Sequence, residues 1–538
     1  MDNKICFRRF GTMLDCSRNA VMSVNSLKKW IDITADLGYN TLLLYTEDTY
    51  ELDDNPYFGY MRGRYTQEEL KEVDAYASSK GMELIPCIQT LAHLNAIVRW
   101  PAYRPHVDTN DILLAGDEAV YELIDKMFAT VSKCFTSRII NIGMDEAHMI
   151  GRGKYYDLHG DTDRSQILID HVKRVSEIGK KYGFTLIMWS DMFFRLANGG
   201  EYGKGDGINE EIKQQIPDNV QLIYWDYYSI YKKKYDLMLE AHKDVKEGTW
   251  YAGGLWSWVG FTPKNGYTIK SSSQALKSCI EHGVEDVFLT MWGDNGGECS
   301  KFALLPSLFY ASEIAKGNTK KADIKAKFKE KYGISFDRFL LLDLPGTAGD
   351  CSERILNAEK YLLYNDCFTG LLDSTLKGGE NEQYAKCVRP LGLMKKEENW
   401  GYLFSTQQAL CEVLAIKAEL GTRTREVYAS RDKEKLETLI GDYRKLRKKV
   451  NNFYKEFKKQ WFTENKPHGF DVQDVRLGGL MTRIKSCEER LQALYDGKIE
   501  IIEELEEKQL DYHGGGEQFG HKHDCYNNWA ETVTTNIV

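Results

Sequence analysis

Asp145 and Glu146 stand side by side at the end of an apolar run, Arg-Ile-Ile-Asn-Ile-Gly-Met-Asp-Glu-Ala-His (138–148). Ile139, Ile140 and Ile142 are β-branched, as in a strand buried on both faces. Two carboxylates this close in a low dielectric raise each other's pKa, so an apolar strand does not normally end on such a pair. In a parallel α/β fold the C-terminal strand end is where chemistry sits. The pair therefore suits general acid/base work on a polar bond. The structural alternative is a helix cap, since an Asp after a strand often opens the next helix.

The other strand ends carry similar groups. In chain order they offer Asp15 with Arg18, then Glu47 and Asp48, then His93. After the 145–146 pair come Trp189 and Asp191, then Tyr224, Trp225 and Asp226, then Trp256 and Trp258, and finally Trp292, Asp294 and Asn295. Five of the chain's 11 tryptophans lie at or just after the C-terminal ends of the last four strands. Acids with Trp residues suit a carbohydrate site: sugar C–H faces stack on indole, and carboxylates and Arg bind vicinal hydroxyls. Each residue also has a structural alternative. Trp189 and Trp292 suit a barrel core, Arg18 a surface ion pair, His93 a loop, and Asp226 and Asp294 caps of the following segments.

Eight short apolar runs must position this rim: 10–15, 40–46, 82–88, 138–144, 184–190, 220–226, 250–257 and 286–292. Amphipathic helical stretches separate most of them, as in Leu27, Trp30, Ile31, Ala35 and Leu37. Eight βα units within residues 1–316 predict a closed (β/α)8 TIM barrel, with a doubly wound sheet as the alternative. Residues 317–512 read as an all-α helical domain, with stripes such as Leu436, Leu439, Ile440, Tyr443, Leu446, Val450 and Tyr454. Residues 513–538 read as a C-terminal tail after Gly514-Gly515-Gly516. Residues 468–479 look unlike a plain helix, and a loop contacting the barrel or a plain connector is expected there.

The 538 residues exceed one ordinary core. A net charge of −9 argues against nucleic acid as a partner, and no run of about 18 apolar residues suggests a membrane span. The N-terminus has no apolar segment of a secretory signal. The 12 scattered cysteines show no metal-type spacing and suit a cytoplasmic protein with reduced thiols.

Glycosidases that use a protein nucleophile place two carboxylates on opposite sides of the scissile bond. Adjacent residues on one strand end point in different directions. They better suit a scheme in which one acid protonates the leaving oxygen and the other orients a nucleophile belonging to the substrate. Asn-Ile-Gly-Met-Asp-Glu-Ala-His (141–148) resembles the Asp-Glu signature of family 20 glycoside hydrolases, the β-N-acetylhexosaminidases. Met-Leu-Asp-Cys-Ser-Arg (13–18) resembles their first-strand motif. Leu-Leu-Tyr-Thr-Glu-Asp (43–48), Trp189, Tyr-Trp-Asp (224–226) and Trp-Gly-Asp (292–294) follow in the family's order. The resemblance spans about residues 8–316 and extends to a bacterial subgroup with a helical domain after the barrel. Most members carry a small α/β domain ahead of the barrel, which this chain is expected to lack.

The resemblance implies that Glu146 is the general acid and then the general base, its pKa raised by burial and by Asp145. Asp145 would hold the substrate's 2-acetamido group while its carbonyl oxygen attacks C1, giving an oxazolinium-type intermediate. Tyr224 would bond the acetamido oxygen. Trp189, Trp292 and either Trp256 or Trp258 would wall the acetyl pocket. Arg18 would bind O3/O4, Asp226 and Asp294 the O4/O6 end, and Glu47 with His93 would form a pair supporting Glu146. The implied activity is release of terminal, non-reducing β-linked GlcNAc or GalNAc from a glycan, with retention and without a metal or cofactor. Two positions depart from the family's pattern, Glu47-Asp48 for two Asp and Asp294 where many members have Glu. The alternatives are a retaining β-glycosidase with Asp226 or Asp294 as nucleophile, and an inactive carbohydrate-binding barrel. The helical domain's apolar stripes suit either a homodimer contact or shaping of the aglycone side.

Overall fold

The structure is a computed structural model and describes residues 4–203, 205, 207–347, 354–514 and 525. The segment 513–538, read as a tail, lies almost wholly outside the described residues. The chain divides into two compact units. One comprises Met1–Leu255, Thr268–Gly293 and Ser307–Ile324, the other Trp256–Tyr267, Asp294–Pro306 and Lys325–Val538. This differs from a single cut at residue 316, because the segments that follow the seventh and eighth strands group with the helices.

The first unit is a closed barrel of eight parallel strands. They are β1 (Arg9–Asp15), β2 (Thr41–Tyr45), β3 (Glu83–Cys87), β4 (Ile139–Asn141), β5 (Thr185–Trp189), β6 (Val220–Trp225), β7 (Trp250–Gly254) and β8 (Asp286–Met291). Each strand pairs with its sequence neighbours, and β1 closes on β8 with Met13 opposite Thr290. One parity of each strand fills the interior: Met13, Leu43, Tyr45, Ile85, Cys87, Ile187, Trp189, Ile223, Trp250, Ala252 and Phe288. The same parity, continued past the strand ends, aims the next residues at the mouth formed by the C-terminal ends of the strands.

Helices cover the outside, started by side-chain caps at Ser23, Thr66, Asp117 and Asp163. Thr66 and Glu69 complete a capping box. His171 is fully buried between Thr90 O at 2.9 Å and Tyr121 OH at 3.2 Å, and burial lowers its pKa to about 4. A hairpin not anticipated from the sequence, Val107–Thr109 with Ile112–Leu113, follows β3. Its Asp108 carboxylate accepts the N–H groups of Gly151, Gly153 and Tyr155, which braces the loop after β4.

In the second unit the longest helices are Gly401–Lys417, Lys433–Glu464 and Phe470–Tyr495. The 433–464 helix buries Leu436, Leu439, Ile440, Tyr443, Leu446, Val450, Phe453 and Phe457 along one stripe. Residues 468–479 are neither loop nor connector. The helix starts at Phe470, after Gly469 in the left-handed conformation. Arg476 on its second turn reaches Glu298, which also binds the fully buried Lys360. A buried ammonium persists only with such a partner. No helix among the described residues is long and apolar enough to cross a membrane.

Candidate active site

Asp145 lies at the interior parity beyond β4 and is 8% exposed. Gln89, at the same parity beyond β3, donates from Nε2 to Asp145 Oδ1 at 2.7 Å and to Tyr45 OH at 3.0 Å. Its Oε1 accepts the Met144 N–H at 3.1 Å. This close approach requires glycine at 143, because a Cβ there would fall 1.9 Å from Gln89 Oε1, and the backbone has φ +73°. Gln89 was not anticipated from the sequence.

His93 Nε2 lies 3.2 Å from Asp145 Oδ2 and 3.7 Å from Glu146 Oε2, so both carboxylates bracket one ring nitrogen. Burial opposes a charged imidazole, but Asp145 outweighs it and the His93 pKa rises to about 9. Burial would likewise raise Asp145, yet His93 and Gln89 together hold it below the usual carboxylate range. The result is an ion pair with Asp145 charged. Glu146, expected to be buried, is instead 43% exposed at its side chain. The anticipated Glu47–His93 pair is replaced by another arrangement. Glu47 binds Arg18 and accepts from Tyr45 OH at 3.0 Å, and burial raises its carboxyl while Arg18 acts against that.

Asp191, one parity step beyond Trp189, is fully buried beneath the acid. Its carboxylate accepts the Glu146 backbone N–H at 3.2 Å and Trp225 Nε1 at 3.3 Å, and Arg195 lies at 3.3 Å. Burial, reinforced by the Asp145 charge, pushes its pKa up to about 7. Backbone strain concentrates here: Glu47, His93, Met144 and Glu146 all have positive φ without being glycine.

Trp189 and Trp292 pack 5.9 Å apart, and Tyr45 meets Trp292 edge-on at 4.9 Å. Trp189 is thus part of the barrel core as well as the wall of the mouth. Asp15 accepts the Gly293 N–H at 2.8 Å and so fixes the turn that carries Trp292. Tyr224 is not in this group. Ile223 and Trp225 face the interior, so Tyr224 faces the helices, its ring 4.8 Å from His242 and 5.6 Å from Tyr251. Its hydroxyl donates to Asp226 at 3.2 Å, and Asp226 also accepts the Tyr228 N–H, so Asp226 caps its own turn. The tyrosine of the mouth is Tyr227. It accepts Trp292 Nε1–H at 3.1 Å, stacks on Trp225 at 5.3 Å and lies within electrostatic reach of Asp145 and Glu146.

Trp256, Trp258 and Asp294 fall in the second unit. The two indoles stack on each other at 4.1 Å with 20° between planes, both buried, and Tyr267 meets Trp256 edge-on. Asp294 opens a short turn with Asn295 at φ +62°, and Arg476 donates to the Asn295 carbonyl at 2.6 Å. No group of three or more His, Cys, Asp or Glu among the described residues has metal-binding geometry.

Two family profiles match this chain. One, for the glycosyl hydrolase family 20 catalytic domain, covers residues 7–245. The other, for the glycoside hydrolase 20C C-terminal domain, covers residues 337–523. The chain belongs to glycoside hydrolase family 20. Hexosaminidase D of Bos taurus is 24% identical over 272 residues, 46% of this chain and 70% of that protein. The beta-hexosaminidase of Porphyromonas gingivalis is 26% identical over 220 residues, 34% of this chain and 28% of that protein. The solved beta-N-acetylhexosaminidase of Bacteroides fragilis is 19% identical, covers 61% of this chain and 70% of its own, and superposes with a TM-score of 0.46. The family 20 catalytic profile takes in Arg18, Glu47, His93, Asp145, Glu146, Trp189 and Tyr227, and ends before Trp292.

Proposed function

We propose that this family 20 glycoside hydrolase removes terminal, non-reducing β-linked N-acetylhexosamine from glycans with retention, using the substrate's own acetamido oxygen as nucleophile. The observation that carries the reading is the asymmetry between two neighbouring carboxylates. Asp145 is buried, charged and held on both oxygens by His93 and Gln89. A carboxylate kept ionised cannot protonate a leaving group, but it can hold an acetamido N–H and stabilise positive charge developing on that nitrogen. Glu146 is partly exposed, so it can reach a glycosidic oxygen and later a water.

The steps follow. Glu146 gives its proton to the leaving oxygen as the acetamido oxygen closes on C1. Asp145 steadies the oxazolinium-type ring, and Tyr227 supplies the hydroxyl for the acetamido oxygen in place of Tyr224. Trp189 and Trp292 wall the acetyl group. Glu146 then takes a proton from water, which attacks C1 from the face the aglycone left and breaks the bond between C1 and the acetamido oxygen. His93 keeps Asp145 charged throughout. Arg18 binds the sugar's ring hydroxyls, with Glu47 fixing its guanidinium.

A thiazoline analogue of the cyclic intermediate tests this reading. Competitive inhibition is the expected result, since transition-state and intermediate mimics bind about 10²-fold or more tighter than substrate. Turnover unaffected by the thiazoline would overturn the substrate-assisted route.

A further inference from the structure

The loop after β2 carries Tyr57 and Tyr60, 46% and 44% exposed, and the loop after β3 carries Trp100. Their rings form one cluster: Tyr57 lies 5.4 Å from Trp100, Tyr60 5.7 Å from Trp100, and the tyrosines 6.2 Å from each other. Arg99 sits 5.7 Å over the indole. Three aromatic rings gathered on two surface loops, with phenol hydroxyls and a guanidinium beside them, differ from an aliphatic protein-contact patch. They present flat faces and hydrogen-bonding edges together, as a pyranose requires.

This cluster is bolted to the strand ends that form the site. Gly59, next to Tyr60, packs so tightly that a Cβ would lie 2.2 Å from Asp48 O, at φ +65°. Arg62 binds Asp48 Oδ1 at 2.9 Å and the Ser17 carbonyl. Asp48 follows Glu47 in the chain, and Ser17 precedes Arg18. Phe58 is buried on Tyr50 and anchors the turn from below. A surface held this firmly has little conformational freedom to lose on binding.

We propose that Tyr57, Tyr60 and Trp100 form a stacking platform for the sugar units of the aglycone, making this enzyme selective for oligosaccharide chains. The proposal rests on the exo-acting reading above, because a site that takes only the terminal sugar leaves the rest of the chain outside the mouth, on the rim. The platform touches no reacting atom and acts through binding alone.

The test compares wild type, Trp100→Ala, the double variant Tyr57→Ala/Tyr60→Ala, and Trp100→Phe. The substrates are p-nitrophenyl β-N-acetylglucosaminide and GlcNAc- or GalNAc-terminated β-linked oligosaccharides of two to five units. Wild-type kcat/KM should rise with chain length. The alanine variants should lose about 10-fold of that rise, mostly in KM, and stay within about twofold of wild type on the conjugate. Trp100→Phe should keep most of the rise. Equal losses on conjugate and oligosaccharide, or a wild type indifferent to chain length, would overturn the platform. So would alanine variants with unchanged kinetics and a smaller sedimenting mass, which would make the patch a contact between copies. A wild type inactive on every acetamido sugar would refute the reading of Asp145 and Glu146 themselves.

Discussion

The Glu146 backbone N–H donates to the buried Asp191 carboxylate at 3.2 Å, and it does so from a left-handed backbone with φ +52°. The strained conformation aims the Glu146 side chain out of the barrel, and Asp191 is the acceptor that holds it. Trp225 and Arg195 fix Asp191 in turn. Asp191→Asn presents a different hydrogen-bonding end to Glu146. It should lower kcat about 10²-fold and leave KM nearly unchanged, because the group misplaced is the acid rather than a binding contact. Steady-state kinetics on a nitrophenyl conjugate check this, and a loss confined to KM would contradict it.

The pairing of His93 with Asp145 predicts a pH-dependent stability. The His93 pKa is about 9 in the folded state against 6.5 for an unperturbed imidazole. Its contribution is therefore fully present below pH 6.5 and fades as pH rises through 9. Its size is up to about 3 kcal/mol, at 1.36 kcal/mol per unit. Urea midpoints measured at pH 6.5 and 9.5 should show a gap between wild type and His93→Gln that narrows at the higher pH. A gap that widens would place the proton elsewhere.

Gly143→Ala should damage both stability and activity. The added methyl meets Gln89 Oε1 at 1.9 Å, and the backbone is left-handed there. The cost should be about 1–3 kcal/mol, and Gln89 should be driven off Asp145. Denaturant unfolding and kcat measure the two effects. An active, fully stable variant would show that Gln89 does not set Asp145.

Tyr227→Phe and Tyr224→Phe separate the two tyrosines. Removing the Tyr227 hydroxyl should cost about 10²-fold in kcat, as for one donor to a developing oxyanion. Tyr224→Phe removes a bond to Asp226 on the outer face and should cost about 1 kcal/mol of stability with little change in rate. The reverse pattern would restore Tyr224 to the site.

Much of the fold was legible from period and spacing. All eight strands fall where apolar runs alternate with helical stretches, and their boundaries differ by a few residues at most. The fourth strand is shorter than the apolar run because Asn141 Oδ1 takes the Gly143 N–H and Gly143 turns left-handed. Of the site, the Asp145–Glu146 pair was visible because adjacent acids after an apolar strand are unusual. Tyr224 was misplaced by order of motifs, although strand parity puts it opposite to Ile223 and Trp225. Parity would also have found Gln89, two residues beyond Cys87, whereas Asp191, two beyond Trp189, was visible at its strand end but carried no assigned role. Their roles were hidden because the acids they hold lie far off in sequence, Asp145 56 residues from Gln89 and Glu146 45 residues from Asp191. Residues 468–479 misled because Gly478 and Gly479 suggest a loop. In the helix a Cβ at either position would meet nothing within 4 Å, so the glycines meet no close packing and the helix runs on.

Substrate-assisted cleavage by Asp145 and Glu146 is measured most directly as release of p-nitrophenol from its β-GlcNAc, β-GalNAc and β-glucose conjugates by wild type, Asp145→Asn and Glu146→Gln. Cleavage of the acetamido sugars only is expected, reduced about 10²-fold or more in each variant. Equal cleavage of the glucoside, or an Asp145→Asn variant with full activity, would contradict it.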